Sequence, residues 1–243
     1  MLERVKSYCE HNNIPVSEKQ LSQMDQYCSF LAEKNQMMNL TAITDPDEME
    51  VKHLIDSLSG LPVITGLWEK EAHEGHSFSL IDIGCGAGLP GIPLKIMLPE
   101  AEFVLLDSLH KRIGFVKETA DRIGLSNIEC VAARAEEFAD NDHRESFDFC
   151  ISRAVAETNV LLEYCLPFVK VGGYCVLYKS DNCDEEIQKA ENAMNILGGR
   201  LTEIRTFSLP ENAGGRSLVV IKKVSETPLK YPRRPGKPSK SPL

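Results

Sequence analysis

Residues 80–93 read Leu80-Ile81-Asp82-Ile83-Gly84-Cys85-Gly86-Ala87-Gly88-Leu89-Pro90-Gly91-Ile92-Pro93, and this stretch decides the fold. An apolar run carrying one acid passes straight into four glycines within eight residues. Glycine costs backbone entropy, so a cluster of it marks a chain that turns sharply and lets something approach its amides. The pattern predicts a strand over 78–83, a glycine turn, and a helix over about 91–98.

Downstream the chain alternates. Strands are expected over 102–106, 128–132, 147–151 and 174–178, and helices over about 109–123, 157–166 and 184–197. Ile113, Val116, Ala120 and Ile123 share one helix face, and Gly124 ends that helix. This alternation is the pattern of a doubly wound, mostly parallel sheet. Two late β-like segments, 201–207 and 217–223, have no helix-sized interval between them, so a late antiparallel strand is expected. The first 66 residues read as helical. Ser17 to Gln20 is a capping box with Val16 and Leu21 as a staple, and Leu21, Met24, Cys28 and Leu31 form a stripe. Asp45 and Pro46 restart a helix whose buried face is Val51, Leu54, Ile55 and Leu58.

Two registers of the glycine loop remain. Gly86 to Gly91 fits the dinucleotide pattern G-x-G-x-x-G. Asp82 to Gly88 fits the acid-x-G-x-G-x-G loop of S-adenosylmethionine enzymes. Both want an acid after the second strand to accept from ribose hydroxyls, and Asp107 stands there. Three features favour the second register. Asp82 suits the cationic end of S-adenosylmethionine and would repel a pyrophosphate. Ala135-Glu136 after the third strand offers an acceptor to an adenine amino group. The paired late strands are usual in methyltransferases, by analogy of fold. A bare structural turn, with Asp107 capping the next helix, is the bland alternative.

Composition sets the outer limits. The 243 residues are 42% hydrophobic and 26% charged, as in ordinary globular proteins. No apolar run is long enough to span a membrane, and residues 1–13 read as a charged helix rather than a leader. The eight cysteines are scattered singly, which fits reduced thiols in a cytoplasmic protein. His73 and His76 lack a third ligand nearby, so no metal is expected. Net charge is −9, yet Lys230, Arg233, Arg234, Lys237 and Lys240 form a basic cluster without an acid, in a stretch from Thr227 carrying five prolines. That tail cannot be a regular element. It is expected to be either disordered or an extended strap, and its charge suits phosphate.

The motifs together are specific. They are Asn39-Leu-Thr-Ala-Ile43 before the Asp-Pro start, Val51-Lys-His53-Leu-Ile-Asp56-Ser57-Leu58, Leu89-Pro90-Gly91-Ile-Pro93, Asp107-Ser108-Leu109, Ala133-Arg134-Ala135-Glu136, Ser152-Arg153-Ala154-Val155-Ala156, Gly172-Gly173, and Tyr231-Pro232-Arg233-Arg234-Pro235-Gly236. Through them, nearly end to end, the chain resembles the bacterial small-subunit ribosomal RNA guanine-N7 methyltransferases, also called glucose-inhibited division protein B. The resemblance implies a Rossmann-like α/β class I methyltransferase fold with S-adenosyl-L-methionine as cofactor. It implies contacts from Gly84, Leu89, Asp107, Ser108, Leu109, Ala135, Glu136 and Arg153, the last at the methyl-transfer end and the one candidate catalytic residue. It implies 16S ribosomal RNA, or the 30S particle, as partner. Domain limits are expected at 1–66 (helical), 67–226 (methyltransferase) and 227–243 (basic tail), in a monomer.

Guanine N7 carries a free lone pair and no proton, so no general base is expected, only positioning. The tail, Lys111, Arg112 and the N-terminal helices are the expected RNA surface, and cutting at Thr227 is expected to spare cofactor affinity. Open alternatives are a methyltransferase of a small molecule or protein, a nicotinamide-dependent oxidoreductase, and a non-catalytic nucleotide sensor.

Overall fold

A computed structural model of the protein describes residues 2–70, 77–139, 142–153 and 155–243. His73 and His76 lie outside the described residues. The described strands are β1 Ser79–Ile83, β2 Glu102–Asp107, β3 Ile128–Ala132, β4 Phe147–Arg153, β5 Val169–Ser180, β6 Gly199–Ser208 and β7 Gly215–Lys223. They form one sheet in the order β3-β2-β1-β4-β5-β7-β6. Strands β1 to β5 pair in parallel, and β7 runs antiparallel between β5 and β6. Side chains alternate between two cores, as a two-residue period demands: Leu80, Leu105 and Ile151 face one, and Ile81, Leu106 and Cys150 the other.

Helices cover both faces. In chain order they are α1 Glu3–His11, α2 Glu18–Met38, α3 Pro46–Met49, α4 Asp56–Leu58, α5 Leu61–Lys70, α6 Gly91–Met97, α7 His110–Arg122, α8 Ala135–Phe138, α9 Thr158–Cys165, α10 Asp184–Lys189, α11 Glu191–Leu197 and α12 Lys237–Lys240. The capping box at Ser17 is formed, and Asp45 caps α3 through the Glu48 amide. Val51, Leu54, Ile55 and Leu58 are buried, but Glu50–Ile55 is a π-helical turn. The N-terminal helices share one core with the sheet, and α5 crosses position 66 without a break.

Three elements depart from the sequence reading. Strand β5 begins at Val169 rather than at 174, running through Gly172, which has positive φ, and Gly173. The helix over 184–197 is broken at Ala190. The tail is ordered against the body and ends in one helical turn, with a proline in its first turn where no amide is missed.

Candidate active site

The glycine loop is held from three sides. Gly84 and Cys85 donate their amides to Leu106 O at 2.8 and 3.0 Å, tying the loop to the neighbouring strand. Tyr27 on α2 donates to Ala87 O at 2.9 Å. Asp82 Oδ2 accepts from the Gly91 amide at 2.9 Å and so fixes the start of α6. A Cβ on Gly91 would collide with Leu105 and press on Asp82, and one on Gly84, at φ +72°, would collide with Val155. Asp82, expected to suit a cationic ligand end, is 0% exposed, with Oδ2 engaged by the Gly91 amide. Burial pushes its pKa up to about 7, with the Gly91 amide and Arg153 pulling against that rise. Its work is inside the loop.

Beside the loop, at the carboxyl edge of β1, β2 and β3, lies a cavity of about 420 Å³. Gly84, Asp107, Ser108, Leu109, Ala135 and Glu136 all line it, brought together from three separate strand ends. Asp107 is preset: its carboxylate accepts from Gly86 N at 3.0 Å and Leu109 N at 2.8 Å. Glu136 Oε1 accepts from Arg134 at 2.7 Å. A cavity of this size with a hydroxyl and two carboxylates as acceptors fits a nucleoside-bearing ligand such as S-adenosylmethionine, whose ribose hydroxyls and adenine amino group are donors. Leu89 sits behind the loop among core residues and does not line this cavity. Arg112, expected on an RNA surface, lines the cavity with Nη1 at 3.5 Å from Asp107.

A second cavity of about 680 Å³ adjoins the first, sharing Val155 and Ala156 with it. Arg153 opens into this one. Its Nη1 donates to Asp56 Oδ2 at 3.1 Å and to Ser57 Oγ at 3.4 Å. His53, Asp56, Tyr178, Lys179 and Arg216 join it there, and Tyr178 donates to Ser57 O at 2.8 Å, pinning the helical turn to β5. Burial, with Arg153 adding to it, draws the His53 pKa down to about 4. Among these residues only Arg153 was singled out as a site residue by sequence. His53 and Asp56 stood in a quoted motif, but without a role.

The tail completes the first cavity. Arg233 donates from N and Nη2 to Glu163, which is 0% exposed, at 2.7 and 2.5 Å. Arg144 holds Tyr231 O at 2.7 Å. Gly236 N then reaches Glu136 Oε1 at 3.1 Å, and Ser239 lines the cavity with its hydroxyl 2.9 Å from that of Tyr164. Nothing local in a proline-arginine stretch announces such contacts. The fold also gathers thiols that are scattered in sequence: Cys150, Cys165 and Cys175 lie with sulfurs within 4.8 Å of one another, fully buried. No described helix is long and apolar enough to cross a membrane.

The strand order with an antiparallel β7, the loop after β1 and the acid ending β2 define a class I, S-adenosylmethionine-dependent methyltransferase. A S-adenosylmethionine-dependent methyltransferase structure from Aquifex aeolicus superposes with a TM-score of 0.50 at 15% identity, over 78% of this chain and 97% of that one. The family profile described as "GidB: rRNA small subunit methyltransferase G" matches residues 20–214, and the chain belongs to that family. Proteins called ribosomal RNA small subunit methyltransferase G agree along nearly the whole length. The one from Alkaliphilus metalliredigens is 46% identical, covering 98% of this chain and 97% of its own. The one from Lachnoclostridium phytofermentans is 48% identical, covering 94% and 91%.

Proposed function

We propose that this protein transfers a methyl group from S-adenosyl-L-methionine to N7 of a guanine in small-subunit (16S) ribosomal RNA. The observation that carries the reading is the pair of cavities meeting at Val155 and Ala156, one walled by acceptors for a nucleoside and one flanked by cationic side chains. When bound, the cofactor supplies an electrophilic methyl group on a sulfonium, so the N7–carbon bond forms as the sulfur–carbon bond breaks and no proton is moved. The protein's share is placement. Asp107, Ser108 and Glu136 hold the nucleoside end, Gly84 and the loop leave room beside it, and Val155 stands at the passage between the cavities. His53, held near pKa 4, is too weak a base to serve at neutral pH, which suits a nucleophile that needs none. Arg153, ion-paired with Asp56, is a positioning residue between helical turn and sheet.

The N7 edge of RNA lies in a deep, narrow groove, so the target is an unpaired or splayed base. Exposed Lys111, Arg234, Lys237 and Lys240 supply phosphate contacts. In this reading residues 1–66 and 227–243 flank a methyltransferase domain at 67–226, the enzyme acts as a cytoplasmic monomer, and the assembled 30S particle or its RNA is the substrate. The test is transfer of tritium from methyl-labelled S-adenosylmethionine to unmodified small subunits, with naked 16S RNA, large subunits and bulk protein in parallel. Label confined to small-subunit RNA is expected. Label in protein or in a small-molecule fraction, with none in RNA, would overturn the reading.

A further inference from the structure

Three cysteines that stand 15 and 10 positions apart in the chain meet in the core, on the side of the sheet opposite the N-terminal helices. Cys150 on β4 and Cys175 on β5 are register partners on neighbouring parallel strands. Cys165 ends α9, which packs on β4. All three are 0% exposed, and their sulfurs lie within 4.8 Å of one another. They share one apolar cluster with Ile81, Ile83, Leu161 and Leu177. Methyl transfer to guanine uses none of them. Metal–thiolate bonds are about 2.3 Å long, so three sulfurs around one centre stand about 4 Å apart. The triad reaches that spacing by shifts of under about 1 Å. Charge and ligand number then decide what the centre is. A structural zinc takes four ligands, and among the described residues no fourth His, Cys, Asp or Glu ligand atom joins this group. Cuprous copper accepts soft thiolates, but three of them leave two net negative charges on it, and one on a divalent ion. An uncompensated charge is costly in an apolar core. Lys223 and Lys179, cations whose charge reaches Cys175, are already paired with Glu145 and Glu186. Trivalent arsenic or antimony with three thiolates is neutral, and its lone pair takes the fourth direction.

We propose that Cys150, Cys165 and Cys175 form a binding site for a trivalent metalloid of the arsenic group, with one sulfur each from β4, α9 and β5. Each thiol displaces one hydroxyl group of arsenous acid. An arsenic–sulfur bond forms, an arsenic–oxygen bond breaks, and the S–H proton leaves on that oxygen as water. Three waters are released for one arsenic held by three sulfurs, and no electron changes hands. The product joins α9 to two strands. Residues beside Cys165 tie the site to the rest of the molecule: Tyr164 lines the nucleoside cavity, and Glu163 holds Arg233 of the strap. Because the triad is fully buried, arsenic enters when the core opens, so binding is faster during refolding than into the closed fold.

The test refolds the full chain from urea with arsenite present and a phosphine as reductant, then reads the intact mass of the folded protein. One arsenic per chain in place of three hydrogens is expected. Cys165→Ala and Cys175→Ala are expected to lose that adduct, while Cys28→Ala, half-buried and outside the triad, keeps it. X-ray absorption at the arsenic edge of the wild-type adduct is expected to show three sulfur neighbours and no oxygen, a readout that stands even if the triad variants do not fold. The adduct is also expected to raise the urea midpoint, as a cross-link between three elements does. No adduct in the wild type overturns the proposal. So does an adduct that persists in Cys165→Ala, an arsenic bound to fewer than three sulfurs, or a midpoint that does not rise.

Discussion

His53 and Asp82 are buried ionisable residues that both feel the charge of Arg153, and they respond to acid in opposite directions. For His53, burial and Arg153 lower the pKa from 6.5 to about 4. Between those values the unfolded chain binds a proton that the folded chain does not, so this residue's contribution to stability falls as pH drops through the window and levels off below it. For Asp82, burial raises the pKa from 3.8 to about 7, so the folded chain holds the extra proton and stability falls as pH rises across that range. His53→Gln removes the first effect and leaves the second. The stability difference between wild type and His53→Gln is therefore expected to shift against the wild type as pH falls from about 6.5 to 4, read from urea midpoints at several pH values. Midpoints that stay in parallel would mean His53 is not held neutral. At this scale, legibility depended on position. Asp107 and Glu136 follow strands where a ligand acceptor is needed, so the alternation alone pointed to them. His53 and Asp56 sit on a turn whose apolar residues already account for a buried face. The polar pair is buried as well, His53 within the π-helical turn and Asp56 just after it, and burial of a polar pair is not signalled by apolar spacing.

Among the elements, the C-terminal strap changes most on passing from sequence to structure. Its basic residues divide into two sets: Arg233 turns inward onto the fully buried Glu163, while Lys230, Arg234, Lys237 and Lys240 stay exposed. Arg233→Ala would leave the Glu163 carboxylate buried without its partner, a loss of up to about 3 kcal/mol in denaturant unfolding. Because Gly236 and Ser239 border the nucleoside cavity, the same substitution is expected to weaken S-adenosylmethionine binding. Pairing it with Glu163→Gln should recover part of the stability. Unchanged cofactor affinity in Arg233→Ala would restrict the strap to RNA, as a reading of its charge alone suggests. Strand and helix order was legible because apolar runs and glycine breaks recur at βα spacing. The extra length of β5 was not, since Gly172-Gly173 reads locally as a stop and only its neighbours, with Asp148 O pressed against Gly173, keep the chain extended there.

For the whole molecule, an acidic body carries its ligands along one edge of the sheet. The N-terminal helices reach that edge from one face through Tyr27 on the loop and Asp56 on Arg153. The strap reaches it from the other through Glu136. Contacts spanning 97 and 100 residues join these parts, and no spacing in the sequence encodes them. Parallel topology and the place of the nucleoside cavity could be read in advance; the second cavity, assembled from helical turn, β4, β5 and β7, could not. The central claim is that these two cavities deliver a methyl group to guanine N7. It is tested most directly by reacting unmodified small subunits with S-adenosylmethionine, then reducing the 16S RNA with borohydride and cleaving with aniline, which breaks the chain at 7-methylguanosine. The account predicts one new cleavage at a single guanine, absent without enzyme. Incorporated label with no such cleavage would place the methyl group on another atom and contradict it.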